Sequence, residues 1–76
     1  MPHVVIKLLA GRSEQQKQKM AEEVAKTLMR AAICGEDAVS VGIEDVEPGD
    51  WDGKVFGPEI AGKADTLYKT PGCKPV

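Results

Sequence analysis

Residues 2–9 read Pro-His-Val-Val-Ile-Lys-Leu-Leu, an apolar run broken only by His3 and Lys7. So dense a run predicts a strand covered on both faces, as in a parallel sheet, rather than a hairpin strand with one wet side. Ala10-Gly11 interrupts it. Ser13 then stands three residues before Gln16, a spacing in which each side chain satisfies an unpaired amide of the other's turn. Glu14 in the first turn also suits the helix dipole. Downstream, Met20, Ala21, Val24, Ala25, Leu28 and Ala32 recur every three or four positions. That period predicts an amphipathic helix over about residues 14–33, whose apolar stripe is core. Gly35 is the expected left-handed residue that ends it.

Residues 39–44 alternate apolar and polar with period two and predict a second strand. Strand, long helix and strand make a βαβ unit, with parallel strands and a right-handed crossover. Residues 47–53 are rich in turn formers. A short helix is expected over about 58–68, with Pro58 in its first turn and Ile60, Ala64 and Leu67 inward. The tail, 70–76, has no regular pattern. The expected fold class is therefore α/β (α+β): one domain over residues 1–76, with a βαβ core at about 2–46. A loop and short helix follow at about 47–69.

Composition narrows the functional classes. A domain of 76 residues rarely draws more than about 3–5 kcal/mol from its core alone. Two cysteines provide no disulfide framework. Cys34 and Cys73 read as inert or surface thiols with no base placed to activate them, and His3 is too isolated to complete a zinc site with them. No cofactor or metal is expected. The net charge of −2 argues against nucleic acid, which needs a basic face. No apolar run is long enough for a membrane span, and no signal region opens the chain. Free thiols without an export signal fit the cytoplasm. Two strands also leave open sheet edges. Small core and open edges together predict a homo-oligomer.

The chemistry enters at the start of the chain. Removing Met1 would leave Pro2 as a secondary amine, a group able to shuttle protons. Arg12, beyond the first strand, carries a planar guanidinium that can hold a carboxylate. If Met1 stays, the same nitrogen is a tertiary amide without basicity.

Met1-Pro2, the strand, and then Leu9-Ala10-Gly11-Arg12-Ser13-Glu14-Gln15-Gln16-Lys17 resemble the 4-oxalocrotonate tautomerase group of the tautomerase superfamily. Ala38-Val39-Ser40-Val41 and Trp51 continue the likeness. Pro58-Glu59-Ile60-Ala61 and Lys69-Thr70-Pro71-Gly72 resemble its longer, dimeric branch, associated with phenylpyruvate-type activity. The resemblance implies a βαβ protomer whose sheet is completed by oligomerisation, as a dimer by preference or as a hexamer. It implies Pro2 as general base and Arg12 as the group that binds or polarises the substrate. It also implies Trp51 as an apolar wall and backbone amides near Leu9 beside the developing charge. Members acting on dicarboxylates carry a second arginine where this chain has Ser40. The expected substrate is therefore a 2-keto monocarboxylic acid, phenylpyruvate-like. Two alternatives are a catalytically silent homo-oligomeric binding module and a related proline-based dehalogenase, hydratase or decarboxylase.

Overall fold

The computed structural model describes residues 1–72, so Cys73 and the rest of the tail lie outside the described residues. The chain forms two compact units, Met1–Asp45 and the segment from Val46 onward. The first holds strand β1 (His3–Leu9), helix α1 (Glu14–Ala31) and all but the last residue of strand β2 (Ser40–Val46). β1 and β2 are neighbours in one sheet. They start side by side, the Ser40 amide donating to the Pro2 carbonyl at 3.2 Å. With α1 as the connection between them, the pair is parallel, as the βαβ pattern requires.

α1 begins where the capping signal places it. The Gln16 amide donates to Ser13 Oγ at 3.1 Å, and the Ser13 amide donates to Gln16 Oε1 at 3.0 Å. Its end differs from the expectation. The helix stops at Ala31, and the left-handed residue is Ile33 (φ 52°) rather than Gly35. Gly35 is extended, with φ −82° and ψ 167°. The cause is the closing bond: the Cys34 amide donates to the Met29 carbonyl at 3.2 Å. Such a closure obliges the residue just after the cap, here Ala32, to turn left. The glycine comes two residues too late.

Met20, Ala21, Val24, Ala25 and Leu28 of the predicted stripe are half-buried, while Ala32 is exposed. Val41 and Ile43 share a groove with Lys17, Gln18 and Ala21 of α1. Alternation along β2 then turns Ser40, Gly42 and Glu44 to the opposite face. His3 meets Ser40 there, so Val5, Lys7 and Leu9 share that face, and Val4, Ile6 and Leu8 lie toward α1. Leu8 is buried, whereas Val5 and Leu9 remain 43% and 39% exposed. Of the two faces of β1 expected to be covered, α1 covers one.

β2 starts one residue later and ends two residues later than the predicted 39–44. The Val39 amide is engaged by Glu36 at 3.2 Å, closing a short 3-10 turn over Glu36–Ala38. Asp45 at the other end is drawn in by Lys17.

In the second unit, a 3-10 turn over Pro48–Asp50 leads through Trp51 into a wide π-helix, Asp52–Ala61. Pro58 thus sits inside a helix rather than in the first turn of one. A ring there would press on the carbonyl four residues back in an α-helix; the wider coil moves that carbonyl away. The coil closes with the Gly62 amide donating to the Gly57 carbonyl at 2.8 Å. Glycine makes that possible, because a Cβ on Gly62 would lie 2.9 Å from two carbonyl oxygens. A further 3-10 turn, Ala64–Thr66, follows. Val46 and Val55 are buried. Ile60 and Leu67 are half-buried and Ala64 is exposed, all three lining one apolar groove with Phe56. No helix of the described residues is long and apolar enough to cross a membrane.

Candidate active site

The sequence-predicted residues of the first unit lie at the two ends of β1. At its start, Pro2 is half-buried. Because β1 and β2 are parallel and begin together, Ser40 lies directly against it. The Ser40 amide holds the Pro2 carbonyl, and Ser40 Oγ lies 2.6 Å from His3 Nδ1. Pro2 and Ser40 are therefore brought together. His3, which the sequence shows only as too isolated to complete a zinc site, joins them. Its partnership has no local sequence signal, since it depends on the register between two strands 37 positions apart.

At the far end, Leu9 is followed by Gly11 at φ 129°, a backbone conformation that side chains other than glycine's avoid. That turn delivers Arg12 to the start of α1. Arg12 is exposed and lines a shallow groove with Ser13, Gln15, Gln16, Lys19 and Met20. Its guanidinium has no hydrogen-bond or ion-pair partner among the described residues. The neighbouring cations are taken. Lys19 Nζ pairs with Glu23 Oε1 at 3.2 Å, which pulls the Glu23 carboxyl below its ordinary value. Lys17 Nζ lies 2.9 Å from Asp45 Oδ2 and 3.0 Å from Glu14 Oε1. Hydrogen bonds to Asp45 first and Glu14 second raise the Lys17 amine above its usual value. A planar, unpaired cation beside a helix N-terminus suits a carboxylate.

The two ends are far apart. At ~3.3 Å per residue of extended chain, Pro2 and Leu9 are separated by about 23 Å. A small acid that touches Pro2 does not also reach the end of the same strand. Trp51 belongs to the second unit, half-buried between the 3-10 turn and the wide helix. Among the described residues, no three His, Cys, Asp or Glu side chains are grouped to hold a metal ion.

A family model described as tautomerase enzyme matches residues 2–58, spanning both strands and α1. A probable tautomerase of Xylella fastidiosa is 42% identical over 72 residues, covering 95% of this chain and 88% of the relative. Tautomerase PptA of Cronobacter sakazakii is 34% identical over 73 residues, with 95% and 96% covered. Among solved structures, that of the 4-oxalocrotonate tautomerase isozymes from Methylibium petroleiphilum superposes with a TM-score of 0.64 at 36% identity. It covers 66% of this chain and 81% of its own. TomN, a 4-oxalocrotonate tautomerase homologue in the tomaymycin biosynthetic pathway, also reaches 0.64, at 26% identity and 86% and 97% coverage. Fold and likeness together define an isomerase that exchanges keto and enol forms. The chain belongs to the tautomerase family.

Proposed function

We propose that the protein, once freed of Met1, interconverts the enol and keto forms of a small 2-keto monocarboxylic acid such as phenylpyruvate. Pro2 is the base: its nitrogen takes the enol O–H proton and then, as the ammonium, returns one to the far carbon of the C=C bond, while the oxygen-bearing carbon becomes the carbonyl. The step balances within one substrate and draws on no co-reactant. The observation that carries the reading is the unpaired guanidinium of Arg12, the group to which a substrate carboxylate binds. With Ser40 where a second cation would stand, and its hydroxyl engaged by His3, one carboxylate is matched and a second is not. On the same reading, backbone amides near Leu9 stand beside the developing charge.

Magnitudes decide what does most of the chemistry. A free α-amino group titrates near 7.7–8.0, so about a tenth is free base at pH 7. Lowering that value by one unit, about 1.4 kcal/mol, gives only about fivefold more base. The larger share of the rate comes from holding the substrate carbon against the nitrogen, with Arg12 and backbone amides stabilising the enolate charge.

Because Pro2 and Arg12 stand at opposite ends of β1, the Arg12 that serves one Pro2 comes from another copy. The open edges of the sheet and the exposed Val5 and Leu9 support a homo-oligomer, for which we favour a dimer. The test is ultraviolet decay of enol phenylpyruvate with protein whose intact mass shows loss of Met1. Protein that retains Met1, its Pro2 nitrogen an amide, is expected to be at least about a hundredfold slower, the scale of a lost general base. Equal rates would exclude Pro2 chemistry, and fast turnover of a dienol dicarboxylate would exclude the one-cation site.

A further inference from the structure

We infer that His3 and Ser40 form a clamp that positions the Pro2 nitrogen for proton transfer, an inference resting on the function proposed above. Chain ends fray within their first residues unless something ties them down. Here Met1 is fully exposed while Pro2 is half-buried. A single residue of the neighbouring strand supplies both ties. The Ser40 amide donates to the Pro2 carbonyl at 3.2 Å, and Ser40 Oγ lies 2.6 Å from His3 Nδ1.

These two bonds act on few degrees of freedom. The proline ring is rigid, and the peptide joining Pro2 to His3 is planar. One torsion, Pro2 ψ, is left to swing the nitrogen, and the bond to the Pro2 carbonyl fixes the peptide plane and so the axis about which it swings. The side-chain bond holds the far side of the same peptide through His3. The contact survives either charge state of the imidazole. A neutral ring accepts the hydroxyl proton at Nδ1, and a charged ring donates from Nδ1 to the oxygen. Ser40 acts on the base and leaves the substrate to Arg12, so both members are positioning residues.

The experiment uses Met1-free protein labelled with ¹⁵N-proline, in five variants: Ser40→Ala, Ser40→Thr, His3→Phe, His3→Asn and the double His3→Phe/Ser40→Ala. Thr keeps the hydroxyl, and Asn keeps a polar atom where Nδ1 stands. Misplacing the base by a fraction of an ångström is expected to lower kcat on enol phenylpyruvate about tenfold in Ser40→Ala and His3→Phe, with KM within about twofold. Thr and Asn recover most of the rate. The double variant is no slower than either single one, as for two residues acting through one bond. The Pro2 ¹⁵N resonance is sharp in wild type and in the Thr and Asn variants, and broadened or split in the other three. Wild-type kcat in Ser40→Ala and His3→Phe overturns the clamp. So does a rise in KM alone, which makes Ser40 a substrate ligand, or multiplicative losses in the double variant. If protein retaining Met1 is as active as the Met1-free form, the proposed function fails separately. The resonance then still decides the clamp, and an unchanged sharp signal in Ser40→Ala and His3→Phe overturns it.

Discussion

Ile33 holds a conformation that its side chain resists. A left-handed backbone costs an L-residue roughly 1–2 kcal/mol, and a β-branched residue there is a true outlier. Little packing offsets the cost, since Ile33 is 91% exposed. Ile33→Gly is therefore expected to raise stability by about 1 kcal/mol, after allowing for glycine's greater freedom when unfolded. Urea denaturation checks it: the midpoint moves up while the slope stays constant. An unchanged or lower midpoint would show that Ile33 stabilises the chain through contacts outside this protomer. At the other end of the same helix the chain follows its local rules, with Ser13 and Gln16 capping each other as their spacing dictates.

Between elements, Lys17 ties α1 to β2 through Asp45. The tie raises the folded-state value of the amine above its ordinary 10.5. The folded protein thus holds this proton more tightly than the unfolded one. The contribution is complete below about 10.5 and disappears as pH climbs through the higher folded value. The thermal midpoint is expected to fall more steeply with alkali above pH 10.5 in wild type than in Lys17→Met. Identical slopes would mean that the pair leaves stability untouched. The same scale explains what was legible in the chain. β1, α1 and β2 could be read because period and capping are local. The wide helix could not: Pro58 fits a first turn as well as a widened one, and closure at Gly57 and Gly62 decides between them. Pro2 and Arg12 could be picked out as a combination. The bond between His3 and Ser40 could not, because register across parallel strands leaves no mark in sequence spacing.

For the whole molecule, the length of β1 is the governing dimension. On the proposed reading, protein retaining Met1 and Met1-free Arg12→Ala are each inactive, yet co-refolded together they regain activity. In a symmetric dimer, random pairing makes half of the dimers mixed, with one intact site of two, so about a quarter of wild-type rate returns. A mixture no faster than its parents would place both groups in one chain. Dilution checks the same point, since specific activity falls as protomers separate.

The seven residues of β1 have a consequence for regulation by abundance alone. If base and anion holder belong to different polypeptides, a lone protomer is chemically silent. Turnover per cell then climbs faster than the number of chains made, and a sparse gene product stays off without any inhibitor.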